Sequence, residues 1–179
     1  REGGKIETAL LGNHPDDSAE AQIELMLKAA VAGQSKLVFH NAAYDLCVIA
    51  RTYPKLIPLI FQALENGSIT DTLIREKLLN LSRHGKLDMM PLPDGHTSLK
   101  LSYHLSDLVL KYTGADRTAV KNDEDSWRLN YNMLDGWKVA DYPAEAADYA
   151  RTDASDTLEV CEQQQQSVNV QGSLETEYF

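Results

Sequence analysis

The sequence predicts an α/β domain, on three observations. Short apolar runs such as Leu37-Val38-Phe39 are too brief for helices and read as buried strands. Amphipathic stretches with helical spacing lie between them, and helices dominate the second half. The 179 residues suit one domain with a sizeable core.

The elements follow in order. Lys5 to Leu11 (KIETALL) reads as a strand. Asp17-Ser18-Ala19-Glu20 has a capping-box pattern and opens a helix with Ile23, Met26, Leu27 and Ala30 on one face, ended by Gly33. Leu37 to Phe39 is the next strand, Ala43 to about Thr52 the next helix, and Pro54 closes it. Ser68 to Thr70 suits a short strand, before a helix that turns Ile74, Leu78 and Leu81 inward. Residues 82–97 carry Pro91, Pro93 and Gly95 and read as an exposed loop. Ser98 to Tyr112 is amphipathic through Leu101, Leu105, Leu108 and Tyr112, with Gly114 as its C-cap. Residues 115–141 are polar and irregular, with Trp127 and Trp137 as expected anchors. From Pro143 a long helix runs to the Gln163–Gln166 tract.

Composition narrows the possibilities. Hydrophobic content of 43% is ordinary for a globular protein. No apolar run reaches membrane-spanning length, and no basic-then-apolar leader opens the chain. Cys47 and Cys161 lack metal spacing and read as buried thiols in a reducing compartment. Net charge is −10, from 17 basic and 27 acidic residues, which weighs against nonspecific nucleic-acid binding. A metal-dependent enzyme acting on nucleic acid still needs local carboxylates, so that class stays open.

Three segments carry candidate chemistry. His40-Asn41-Ala42-Ala43-Tyr44-Asp45 leaves an apolar strand and enters a helix, where α/β sheets commonly present ligand sites. Asn41 and Asp45 would equally suit a plain helix start. Tyr149 and Asp153 are four apart and share a helix face, beside an apolar stripe of Ala147, Ala150, Ala154, Leu158 and Cys161. There a carboxylate needs a partner or a metal. Ile69-Thr70-Asp71-Thr72 is a strand end whose Asp71 or Thr72 caps the next helix. His40, His84, His96 and His104 share no metal spacing, and His40 suits a buried, hydrogen-bonded ring.

Taken in this order, the segments resemble the DEDD (DnaQ-like) exonucleases, in the tyrosine branch found in proofreading domains of family A DNA polymerases. Asn41, Tyr44 and Asp45 match the second family motif; Asp71 and Thr72 match the Asp-Thr that starts the next helix. Ser98 and Leu99 match the Ser-Leu of a later helix, and Tyr149, Asp153, Ala154 and Thr157 match the third motif. The likeness covers about residues 18 to 166, and Trp127-Arg128 and Asp141-Tyr142-Pro143 are similar to phage-type polymerases. Two departures stand out. The 108-residue gap from Asp45 to Asp153 is long, and the opening Asp-x-Glu motif is absent, Lys5 standing where its Asp belongs before Glu7. KIETALL therefore reads as the third strand of the sheet, with two strands expected upstream.

The resemblance implies a ribonuclease H-like mixed sheet flanked by helices over residues 1–166, with 167–179 linking to a polymerase domain. It implies hydrolysis of the terminal phosphodiester at the 3′ end of single-stranded DNA, releasing nucleoside monophosphates, in the cytoplasm of a bacterium or phage-infected cell. Two Mg²⁺ or Mn²⁺ ions would be held by Asp45 and Asp153. Tyr149 would orient the attacking water; Asn41, Tyr44 and His40 would position the terminal nucleotide. An RNase D-like exoribonuclease and a vestigial domain that only scaffolds a polymerase are the alternatives. On this reading the chain as written is an excised segment, expected to be poorly soluble or inactive by itself.

Overall fold

A computed structural model describes residues 10–12, 14–87, 89–92, 98–117 and 127–171. It is an α/β structure with a small parallel sheet. Its elements are α1 (Ala19–Val31), β1 (Leu37–Phe39), α2 (Ala42–Thr52), α3 (Ile57–Glu65), β2 (Ile69–Asp71), α4 (Thr72–His84), β3 (Met89–Pro91), β4 (Ser98–Lys100), α5 (Leu105–Thr113), α6 (Trp127–Asn130) and α7 (Ala144–Gln171). β1 and β2 pair in parallel, Leu37 opposite Ile69 and Phe39 opposite Asp71. α2 and α3 make the crossover a parallel pair requires.

The first core forms where this crossover meets α1. Leu27, Ala30, Ala42, Leu46, Leu56, Ile60 and Ala63 are buried together, with Leu37, Phe39 and Ile69 of the strands against them. Gly33 and Gly67 terminate α1 and α3 in left-handed conformations that a Cβ would strain. The two helix ends are then tied together: Ser68 Oγ donates to the Ala30 carbonyl at 2.9 Å and Asn66 Nδ2 to that of Val31 at 3.2 Å. A second core joins Leu108 and Val109 of α5 to Val160 of α7.

Several expectations from the sequence are corrected. Lys5 to Ala9 of the expected first strand, and Glu7 with them, lie outside the described residues; Leu10 and Leu11 are not in a strand. Ser18 stands at the α1 N-cap without a side-chain cap bond, so the capping box does not form. Asp17 instead accepts from the Val139 backbone N–H at 3.1 Å. The loop expected at 82–97 contains β3, which pairs antiparallel with β4. Ser98–Lys100 is therefore strand, and the helix expected from Ser98 begins at Leu105. The apolar period through Leu101 yields to cross-strand hydrogen bonding. Trp127 is half-buried against Tyr131, whereas Trp137, expected as an anchor, is 48% exposed. Cys47 is exposed and Cys161 half-buried, so neither is a buried thiol. α7, expected to run to the Gln163–Gln166 tract, continues unbroken to Gln171.

The largest correction concerns α4. Ile74, Leu78 and Leu81, expected inside, are 52%, 37% and 42% exposed. The face turned inward carries Thr72, Glu76, Leu79 and Asn80. A buried polar cluster explains the rotation. Glu76, fully buried, takes hydrogen bonds from Lys111 and from the Tyr112 hydroxyl of α5, the latter at 2.6 Å. Gln164 of α7 donates to the same carboxylate at 3.0 Å and to the Thr72 carbonyl at 2.9 Å. One carboxylate thus joins α4, α5 and α7. A buried charge is tolerated only with such partners, so their placement, rather than apolar spacing, sets the inward face. The face of α7 is turned likewise: Ala154 is exposed, and Ala146, Ala147, Asp156, Thr157, Val160 and Gln164 are buried.

Burial pushes the Glu76 carboxyl up, but the bonds from Lys111 and Tyr112, the Lys111 charge and Gln164 outweigh it and leave the group below its ordinary value of 4.5. A carboxyl depressed in the folded state stabilises the fold above its unfolded pKa, and that contribution is lost as pH falls through the folded one. Lys111→Ala should therefore cost about 2–3 kcal/mol at pH 7, toward the low end for a broken buried pair because Lys111 is part-exposed. The cost should shrink as the pH drops below about 4.5. Urea unfolding of both proteins at pH 7 and pH 3.5 checks this; an equal difference at both pH values contradicts it.

Candidate active site

The parallel register sets the geometry. Because Phe39 lies opposite Asp71, the segment leaving β1 and the residue ending β2 come to the same edge of the pair. The Asp71 carboxylate there accepts from four backbone N–H groups. Leu73 and Ile74 at the start of α4 donate to Oδ1 at 2.9 and 3.3 Å. Asn41 donates to Oδ1 at 3.2 Å, and Ala42 to Oδ2 at 2.8 Å. Asp71 is the N-cap of α4, as the sequence allows, and caps α2 as well. The first-turn N–H groups of a helix lack internal partners, and an anion placed there also meets the positive end of the helix dipole.

This arrangement releases Asn41. It occupies the N-cap position of α2 in a left-handed conformation (φ 69°, ψ 55°), which asparagine tolerates better than most residues. Its side chain makes no cap bond and is exposed. Tyr44 is also exposed, one turn into α2. His40 is half-buried and hydrogen-bonded, as expected, its Nδ1 2.9 Å from the Thr72 hydroxyl. Burial pushes the His40 imidazole below its ordinary value, against the opposing pull of the Asp71 charge and a backbone bond to Tyr103, with His104 adding to the depression. Asp45 is half-buried. Burial raises its carboxyl above the usual range, opposed by a bond from its own backbone, and the Asp71 charge raises it further.

The third segment lies on α7, which packs against β1, α4 and α5. Tyr149 is half-buried with its ring centroid 5.9 Å from that of Tyr131. Asp153 is exposed, one turn further on, and its charge acts on Tyr131. Nearby, Arg117 grips the buried Asp156 carboxylate with two bonds of 3.0 Å. The structure thus gathers His40, Asn41, Asp45, Asp71 and Thr72 at one end of the strand pair. Tyr149 and Asp153 lie together on α7, which reaches that end through Gln164. Among the described residues, no three His, Cys, Asp or Glu side chains form a ligand cluster. Sequence reasoning missed the second cap made by Asp71, the Glu76 cluster, and Tyr131. Each depends on contacts between distant segments, and no local pattern marks them.

No protein-family model, curated protein or solved structure matches the chain.

The double cap predicts an asymmetry. Asp71→Ala removes the side-chain cap from two helices and should cost about 2 kcal/mol, at roughly 1 kcal/mol per cap. Asn41→Gly keeps the left-handed turn and removes no cap bond, so it should change stability by less than about 0.5 kcal/mol. Chemical denaturation of the two variants decides the point, and equal losses would contradict it.

Proposed function

We propose that this chain is the 3′–5′ exonuclease portion of a proofreading DNA polymerase, of the DEDD type with tyrosine in its third motif, and that β1 and β2 are neighbouring parallel strands of a ribonuclease H-like sheet. The observation that carries the reading is the register of β1 and β2. It brings the Asn41–Asp45 turn and the Asp71-Thr72 helix start to one edge, with the helix bearing Tyr149 and Asp153 packed on β1. The elements that carry the three segments thus pack against one another.

The donor chemistry suits a divalent cation. Asp45 offers hard carboxylate oxygens from a half-buried position, with a second carboxylate, Asp71, close enough to raise it further. Among the described residues Asp45 has no ion pair, so a cation there would offset both burial and repulsion. Asp45 and Asp153 would hold the Mg²⁺ or Mn²⁺. Bound there, the metal supplies polarisation of the phosphate and a water acidic enough to yield hydroxide near neutral pH. Tyr149, held on the rigid α7, orients the attacking water through its hydroxyl. Asn41, its side chain unused by the cap, and the exposed ring of Tyr44 contact the terminal nucleotide. His40 is tied to Thr72 and steadies the same turn from beneath. Affinity for single-stranded DNA comes from such local contacts and the cation, since the net charge of −10 repels phosphate.

The tests follow from these roles. The full-length protein should degrade 5′-labelled single-stranded DNA from its 3′ end with Mg²⁺ or Mn²⁺, and stop in excess EDTA. It should cut RNA of equal length more slowly. Asp45→Ala and Asp153→Ala should abolish cleavage. Tyr149→Phe should slow it by roughly 10²–10⁴, the range for one positioned proton-handling group. Undiminished cleavage in EDTA, or full rate in both alanine variants, defeats the reading.

A further inference from the structure

Tyr131 belongs to none of the three motif segments, yet it touches the helical turn that carries Tyr149. It sits in a 3-10 turn, Tyr131–Leu134, directly after α6. Its hydroxyl donates to the carbonyl of Ala146 in α7, and the backbone N–H of Ala150 bears on the same oxygen. Those two backbone groups are four residues apart and bracket Tyr149. The Tyr131 ring meets that of Tyr149 at 5.9 Å and 51°, within the range of favourable tilted aromatic pairs. Trp127 also packs against Tyr131, with ring centroids 6.3 Å apart. Burial first, and then the Asp153 carboxylate, raise the Tyr131 phenol, against the opposing Ala150 bond, so Asp153 is also within electrostatic reach.

From this geometry we infer that Tyr131 is a positioning residue, a brace that fixes the side chain of Tyr149 against α7 and so sets where its hydroxyl points. The inference rests on the exonuclease reading and adds a residue to it. A tyrosine ring on a helix surface has more than one rotamer available, and a water-orienting hydroxyl is useful in only one of them. The ring contact limits the choice of rotamer, while the hydroxyl anchor keeps the bracing ring in register with the helical turn beneath Tyr149. Tyr131 touches no reacting atom. Its effect passes through Tyr149, which separates it from a residue that merely supports the fold.

A double-mutant cycle makes that separation. Cleavage of single-stranded DNA is measured for the full-length protein with Tyr131→Leu, Tyr131→Phe and Tyr149→Phe, and for Tyr131→Leu with Tyr149→Phe together. Tyr131→Leu should lower kcat roughly 10- to 100-fold, the scale of a misplaced catalytic group, with KM changed less than about twofold. Tyr131→Phe keeps the ring and should recover most of that loss. Once Tyr149→Phe has removed the hydroxyl, adding Tyr131→Leu should cost less than about threefold more. Melting temperature serves as the control, because loss of packing should lower it equally in both backgrounds. If the kcat losses multiply independently, or if Tyr131→Leu acts on KM alone, the brace is overturned while the exonuclease reading stands. If wild-type protein does not cleave, both fail together.

Discussion

The arrangement around the candidate site depends on one carboxylate shared by two helices. Asp71 ends β2, yet half of its hydrogen bonds reach the chain leaving β1, through Asn41 and Ala42. A parallel strand pair has no tight turn to hold its ends together, and three-residue strands supply few ladder bonds. The Asp71 bridge locks the edge where the ladder stops. It fixes where α2 begins, and therefore where Asp45 lies. It also replaces the cap that Asn41 would otherwise make, and so leaves an exposed amide beside a half-buried carboxyl. Local stability and chemical availability thus come from the same contact.

Glu76 plays the corresponding part on the other side of α4. Its carboxylate gathers Lys111, Tyr112 and Gln164, and Gln164 reaches on to the carbonyl of Thr72. Thr72 in turn meets His40 through its hydroxyl, which also donates to the Phe39 carbonyl at 3.2 Å. A continuous polar chain therefore connects α5 and α7 to the end of β1. Such a network specifies one arrangement of helices more sharply than apolar contact does, because a shifted helix would leave a buried charge without partners. The cost is visible on α4, whose Ile74, Leu78 and Leu81 are left exposed.

The acidic composition acquires a meaning in these terms. Asp71 is occupied by backbone N–H groups, Glu76 by α5 and α7, and Asp156 by Arg117. These carboxylates hold the structure. Asp45 differs, since burial raises it while its electrostatic neighbour is another acid. A perturbed acid with no compensating ion pair among the described residues, in the first turn of a helix that follows a strand, is the kind of group from which a functional site is built.

Much of the local structure was legible in the sequence. The apolar run Leu37–Phe39 is β1 in full, Gly33 and Gly114 do end their helices, and Pro54 follows α2. Asp71 reads as a cap, and is one. These features are determined within a few residues, by side-chain sterics and backbone hydrogen-bond demand, so the chain alone fixes them. The orientation of α4 and α7, the strand pairing at Ser98–Lys100, and the contact of Tyr131 with Tyr149 were decided only by the tertiary structure. Each requires a partner in another element, and for α4 the effect overrides apolar spacing because an unpaired buried carboxylate costs more than an exposed leucine. The sequence by itself therefore determined most of the helices and the strand at Leu37–Phe39, and singled out candidate residues for chemistry. The packing of α7 against β1 and α4 decided which way those residues face.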